Sequence, residues 1–427
     1  MLDPNLIRQK PDLVKETLEK RGLDPNLVDQ WRTKDQEWRQ LLAQIEQLRA
    51  ERNQLADQVK QAGRKPTEAE LNQGREIKKK LQQLEERLSQ VAAKRKELLY
   101  QIPNLLAKDV PFGRDDQDNL EIEKWGEPPE FDFSPRDHLE LGEKLGLIDV
   151  KRAAKVSGPR FGYLMGAAVK LEFALIQFAF EQLMAEGFIP VVPPVMVKKE
   201  VEVGLGYGEH GGWEDMYLLP KDDLVLVATA EHSLVARHAG EVFEARDLPR
   251  RYVGFSSCFR REAGAHGKDT RGIFRVHQFD KVEMVSFVLP EKSDQEHHYL
   301  LDLEKRLMEA LKLPYRVMKM CSGDLAAPQI RRYDIEAWFP GQGRYRETHS
   351  CSNCTDFQAR RLGVKLRRKG KLEYVHILNA TAYAIGRTII AILENYQQKD
   401  GSVVVPQALR RWVGEEVIRP KPTKSKG

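Results

Sequence analysis

From Trp31 onward the chain carries an apolar stripe at heptad spacing. One frame holds Trp31, Trp38, Ile45, Arg52 and Val59; the alternate frame holds Lys34, Leu41, Leu48, Leu55 and Ala62. Eight of these ten are apolar, a seam narrow enough for a coiled coil rather than a globular helix face. Ala62-Gly63-Arg64-Lys65-Pro66 interrupts it. Thr67 and Glu70 then have the spacing of a capping box that starts a second helix. A second seam follows: Ile77, Leu81, Leu84, Leu88, Val91, Arg95, Leu98 and Ile102. Two heptad helices of similar length joined by a short turn predict an antiparallel hairpin over about residues 29–102. About 35 residues per helix make an arm roughly 50 Å long. Such an arm has no globular core, so it reaches for a partner; the plainer alternative is a dimerisation coiled coil.

The remaining pattern is globular. Residues 1–28 read as short helices separated by Pro and Gly, completing an N-terminal domain over 1–103. Pro103 to Pro135 is proline-rich, acidic and aperiodic, predicting a connector over 104–136. A short helix is expected from Asp137 to Leu147. The apolar run from Arg160 to Gly187 predicts one long helix buried on more than one side. FIPVVPPVMV is extended and contains Pro193 and Pro194. The glycine-rich stretch 201–219 reads as a mobile loop. Thr229-Ala230-Glu231 ends an apolar strand. The runs RYVGFSSCF and IFRVHQFDKVEMVSFV are strand-like and flank the polar, glycine-punctuated EAGAHGKDTRG. Further on come a helix from Ser293, with His297 and His298 expected at the surface, and strands YRVMKM and YDIEAWF. Another strand should carry Glu347, and HILNATAYAIGRTII closes a domain over 137–418. Strands and helices in this order give an α+β class. The basic tail 419–427 lacks apolar residues and reads as disordered.

Composition narrows the class. With 427 residues, 41% hydrophobic and 31% charged, the chain can bury a large core in two or three domains. The N-terminus lacks the apolar core of a signal peptide, and no run reaches membrane-span length, so a cytoplasmic protein is expected. Net charge is +5, and residues 30–100 hold 16 Lys/Arg against 11 Asp/Glu. The arm therefore carries the whole surplus, which suits a polyanionic partner or a solvated helical face. Cys351 and Cys354 have zinc-knuckle spacing, but no second such pair exists, and reduced, unligated thiols are the expectation.

The chemistry concentrates between Phe259 and Glu283. Arg260, Arg261, Lys268, Arg271 and Arg275 share this stretch with Glu262 and Glu283. Arginines beside strands are fixed cationic forks for phosphate or carboxylate, although a hairpin laced with salt bridges would also use them. The string FRRE…RGIFRVHQFDKVEM resembles the second signature motif of class II aminoacyl-tRNA synthetases, in the form carried by the seryl-tRNA synthetases of ordinary bacterial type. The extended segment ending at Pro194 resembles the first motif, and GRTIIAILENYQ the third. RETHSCSNCTDFQARR and the Thr229-Ala230-Glu231 triplet also match, so the likeness spans essentially the whole chain.

The resemblance implies a class II catalytic core on a mostly antiparallel sheet, preceded by a tRNA-binding coiled-coil arm. It implies activation of L-serine with ATP and transfer to tRNA(Ser), leaving open whether tRNA(Sec) is also served. Arg260, Glu347 and Arg387 become catalytic. Thr229, Ala230, Glu231, Arg260, Glu283, Asn379 and Thr381 become serine-binding. ATP falls to Arg260, Arg261, Glu262, Arg275, Val276, Phe279, Glu347, Thr348, His349, Ser350 and Arg387, with Phe279 and Arg387 on either face of adenine. Glu347 and Ser350 would carry Mg²⁺; His349 has no task of its own. The implied partners are a second copy of the chain and tRNA along the middle of the arm rather than at Arg64 and Lys65, with neither DNA nor a membrane. An amino-acid:carrier-protein ligase would share the core but lack a full arm. A regulatory paralogue would keep the arm and lose Arg260 or Glu347.

Overall fold

The computed structural model describes residues 1–208, 212–264, 267, 269 and 271–420. The chain folds as two compact units, residues 2–103 and, together with Met1, residues 104–427. In the first, short helices α1 (Pro4–Gln9) and α2 (Pro11–Lys20) precede α3 (Asn26–Gln61) and α4 (Glu68–Gln101). The expected capping box is complete: Thr67 Oγ1 accepts from the Glu70 amide while the Glu70 carboxylate accepts from the Thr67 amide. Helices α3 and α4 pack along the predicted seams, burying Trp31, Leu41 and Ile45 against Ile77, Leu81, Val91 and Leu98. Arg52 and Ala62 drop out of the seam and are exposed, while Asp35 is 1% exposed. Three arginines hold Asp35: Arg8 at 2.7 Å, Arg95 at 2.7 Å and Arg39 at 3.2 Å. Arg95 also covers the Trp38 and Trp31 rings at 4.6 and 5.2 Å, so the polar seam position packs as an amphipathic side chain.

The second unit is built on an eight-stranded sheet. Its strands are β1 (Leu120–Trp125), β2 (Ile189–Val191), β3 (Arg250–Phe259), β4 (Gln278–Val288), β5 (Tyr315–Lys319), β6 (Arg331–Phe339), β7 (Arg344–Asn353) and β8 (His376–Ala384). The spatial order is β1-β5-β6-β7-β8-β4-β3-β2. Every pair is antiparallel except β2 with β3. Central β8 reads HILNATAYA and is buried from Ile377 to Tyr383, because helices cover the sheet. The helices of this unit include α5 (His138–Leu145), α6 (Ala167–Ala185), α9 (Ser293–Ala310), α10 (Phe357–Leu362) and α11 (Ile385–Asn395), of which α6, α9 and α11 lie on the sheet. Helix α9 lies on β8 and β7, and α11 on β6 and β4. No helix among the described residues is long and apolar enough to cross a membrane.

Several local expectations change. The connector contains β1, which pairs with β5; this edge strand is exposed along most of its length and so shows no hydrophobic period. Helix α6 starts at Ala167 rather than Arg160. Arg160 and Gly166 have positive φ, and Tyr163–Leu164 forms a short strand before the helix. The stretch 201–219 is not simply a loop. Helix α7 (Lys199–Leu205) enters it and ends at left-handed Gly206, while residues 209–211 lie outside the described set. Strand β4 starts at Gln278, not Ile273, since the His277 carbonyl bonds Arg260 and its amide bonds Arg160. His297 is buried and bonds the Cys351 carbonyl at 3.0 Å; only His298 is exposed. Of the basic tail, residues 421–427 lie outside the described set.

Candidate active site

Sheet order makes the site. Strands β7, β8, β4 and β3 are neighbours, so residues scattered from 260 to 387 converge on one cavity. Its wall includes Arg260, Glu262, Arg275, Val276 and Phe279 from the β3–β4 hairpin, and Glu347, Thr348 and Ser350 from β7. Thr381 from β8 and Arg387 from the start of α11 complete it. Arg260 leaves the end of β3, where its Nε donates to the Ala228 carbonyl at 3.4 Å and its guanidinium covers Phe279 at 5.2 Å. Arg275 donates to Glu262 at 2.6 Å. Arg387 donates to the Glu347 carbonyl at 2.9 Å and pairs with its carboxylate at 3.2 Å.

Electrostatics keep the acids at and behind this wall distinct. Glu347 opens into the cavity with its side chain 44% accessible. Partial desolvation pushes its carboxyl up, but Arg387, Arg332 and Arg260 outweigh that and hold it at about 2. It is a permanent anion. Glu283 is buried on β4, and desolvation raises its carboxyl despite Lys281 at 2.7 Å. Its carboxylate accepts from Thr381 Oγ1 at 3.4 Å. Phe274, not Phe279, lies beneath Arg387, at 4.6 Å.

A second cluster adjoins Arg260 through Ala228. Thr229 caps helix α8 (Ala230–Ala236), accepting from the Glu231 amide at 3.3 Å. Buried Glu231 receives Tyr207 Oη at 2.9 Å and Gln358 Nε2 at 2.9 Å. Burial and Glu231 together keep the Tyr207 phenol protonated. Asn379, on the central strand, donates to Cys354 Sγ at 3.9 Å. All four cysteines are buried and unpaired.

Two expected ATP residues are not on the cavity wall. Arg261 is exposed, with its backbone amide bonded to Asp215. His349 is 1% exposed inside the sheet, against Tyr383. Lys268 lies outside the described residues. Sequence reading passed over Lys281, Phe274, Arg332, Tyr207 and Gln358. Lys281 was accessible by alternation, being two residues from both Phe279 and Glu283; nothing local marks Tyr207.

The chain resembles known proteins over its whole length. Residues 1–106 match the seryl-tRNA synthetase N-terminal domain, and residues 218–396 match the tRNA synthetase class II core domain (G, H, P, S and T). The serine–tRNA ligase of Acidothermus cellulolyticus is 48% identical over 421 residues, covering 99% of this chain and 100% of that protein. The serine–tRNA ligase of Dictyoglomus turgidum is 43% identical over 424 residues, with 99% and 100% covered. Seryl-tRNA synthetase from Pyrococcus horikoshii, solved with ATP, superposes with TM-score 0.94 at 43% identity, covering 99% and 100%. The cytoplasmic enzyme of Naegleria fowleri, solved with AMP, gives 0.89 at 32% identity, covering 99% of each chain. With its arm, its antiparallel core and this full-length likeness, the chain belongs to the seryl-tRNA synthetases, class II ligases that join serine to tRNA.

Proposed function

We propose that the cavity between β3, β4, β7 and β8 forms seryl-adenylate from L-serine and ATP with release of pyrophosphate, and that the seryl group then passes to a hydroxyl of the terminal adenosine of tRNA(Ser), with AMP leaving. The observation that carries this reading is the convergence of Arg260, Arg275 and Arg387 beside Phe279 on one cavity wall. Serine carboxylate must attack the α-phosphorus, so two anions have to meet. Fixed guanidinium groups neutralise them without reorganising during the step. Arg260 bridges carboxylate and α-phosphate, while Arg275 and Arg387 take the outer phosphates. Phe279 offers its face to adenine and Glu262 its carboxylate to the exocyclic amine. No side-chain base is required, because the serine carboxylate is already ionised at neutral pH.

Serine recognition falls to two ends of a buried polar row. Thr229 and Glu231 face the amino group, with Tyr207 and Gln358 orienting Glu231. Glu283, Thr381 and Asn379 face the hydroxyl. A pocket built around a hydroxyl leaves polar groups unpaired when alanine enters, which discriminates strongly. The donor set fits magnesium brought in with the nucleotide: permanently charged Glu347 and the Ser350 hydroxyl are both oxygen ligands on the cavity wall. Bound there, the ion would neutralise phosphate charge.

Exposed Phe173 and Met184 on α6, with Ile189 and Val192 beside it, form an apolar surface suited to a second copy. The arm lays basic side chains along the tRNA stem, and the site of action is the cytoplasm. Arg260→Ala should lower serine-dependent ATP–pyrophosphate exchange roughly 10²–10³-fold with the thermal melt unchanged. Exchange near the parent rate would overturn the phosphate assignment. Charging assays with tRNA(Ser) and tRNA(Sec) side by side decide the breadth of RNA use.

A further inference from the structure

We propose that His349 is a positioning residue that locks two β-bulges and thereby sets which side chains of β7 and β8 face the cavity. Glu347 and Ser350 both line the cavity, as do Thr381 and Ala384. Each pair is three residues apart, and an unbroken strand would send its members to opposite faces. A bulge resolves both conflicts. Between β6 and β7, Ile335 pairs with His349 but Glu336 pairs with Glu347, leaving Thr348 as the extra residue. Between β4 and β8, Val282 pairs with Tyr383 but Glu283 pairs with Thr381, leaving Ala382 extra. One inserted residue shifts the alternation by one, which turns Ser350 to the side of Glu347 and Ala384 to the side of Thr381.

The imidazole of His349 touches both inserted residues. Its Nε2 lies 2.9 Å from the Ala382 carbonyl and its Nδ1 2.8 Å from Thr348 Oγ1. A carbonyl only accepts, so Nε2 carries the hydrogen. Burial lowers this imidazole to about 4. Nδ1 is then an acceptor facing the threonine hydroxyl, whose single proton it shares with the Ile335 carbonyl at 3.1 Å. The side chain is buried, with Tyr383 packed across it at 5.9 Å between ring centroids. Bulges are pliable because their extra residue leaves the ladder; here one ring ties the two together. His349 therefore acts through Glu347, Ser350 and Thr381 without reaching substrate, and the inference rests on the reading of this cavity as the serine and ATP site.

The test compares H349F, which keeps a packed ring without either hydrogen bond, with H349Q, whose amide can still reach the Ala382 carbonyl. The readouts are the KM for serine and the ratio of exchange supported by serine to that supported by alanine. Neither depends on the fraction of enzyme folded. H349F should raise the serine KM and lower the serine-to-alanine ratio, each roughly 10–100-fold, the scale of a misplacement near 1 Å. H349Q should recover most of both. If H349F does not fold, H349M removes the same two bonds with an adaptable side chain and is read the same way. KM and ratio within about twofold of the parent, or H349Q as impaired as H349F, overturn the proposal. Loss of exchange in R260A alongside an unchanged ratio in H349F would sink this inference alone. Retained exchange in R260A would sink the reading of the cavity on which it rests.

Discussion

The arm and the sheet bury charge in opposite ways. On the arm, Asp35 is sealed into the hairpin seam with guanidinium groups from Arg8, Arg39 and Arg95. Burial raises its carboxyl, but the hydrogen bonds from Arg8 and Arg95 more than offset that and hold it below the usual range. Beneath the sheet, Glu304 on α9 is fully buried and neither carboxylate oxygen completes a hydrogen bond. Burial, with the charges of Glu283 and Asp334 nearby, pushes this acid well above its ordinary value of 4.5, even though the Thr381 amide lies beside it. One acid is a structural anion; the other is kept neutral. A buried charge persists only where fixed counter-charges replace its lost hydration.

The same two regions differ in how contacts are made. Across the hairpin, partners follow a simple antiparallel count: Asp35 meets Arg95, and Leu55, twenty residues on, lies beside Gly74, twenty-one residues back. Each stretch of the arm therefore packs on the stretch opposite it. In the sheet, one cavity needs residues from four strands and two bulges, so no segment is dispensable.

The largest test of that contrast shortens the arm. Replacing residues 50–83 by a short glycine-rich turn keeps the Asp35 cluster and should leave serine-dependent exchange at the parent rate. Charging of tRNA should fall on the order of 10³-fold, the scale of losing several phosphate contacts. Equal loss of both activities would show that the arm supports the catalytic unit. Next in size is Asp35→Ala, which strands three arginines beside an apolar seam. It should lower the opening free energy of α3 and α4 by about 3 kcal/mol, read as faster amide hydrogen exchange confined to those helices. Unchanged protection would make the cluster a surface ornament.

The smallest expected effect is a gain. Glu304→Leu removes a buried carboxyl without a hydrogen-bond partner and should stabilise the fold by about 1–3 kcal/mol. The sign with pH follows from its raised folded-state value. Above about 4.5 the unfolded chain releases this proton while the folded chain keeps it, so the parent loses stability as pH rises. The melting-temperature advantage of E304L should therefore be larger at about pH 8 than at about pH 6. A lower melting temperature at both would mean that Glu304 has a partner in solution.

Much was legible without coordinates because it is local. The heptad seams and the Thr67–Glu70 cap each depend on residues within a turn or two, and the structure contains both; Thr229-Ala230-Glu231, read as a strand end, instead caps and opens a helix. The charged run after Phe259 identified the family, and most of the residues singled out on that basis meet at one wall. What local pattern missed is equally specific. An exposed edge strand has no period to read, so β1 looked like connector. A histidine on a polar helix looks exposed until a sheet covers it, which hid His297.

The amino-acid order alone settled the two-helix arm, the α+β core and the residues available for chemistry, since periodicity and motif spacing act over short distances. Tertiary structure alone decided that Arg387 pairs with Glu347, that Tyr207 and Gln358 meet Glu231, and that His349 joins two bulges. Those outcomes depend on strand register between segments far apart in the chain. On a strand buried on both faces, as β8 is, an inserted residue leaves no mark on the pattern of apolar and polar positions, yet it reverses the face to which every following side chain points.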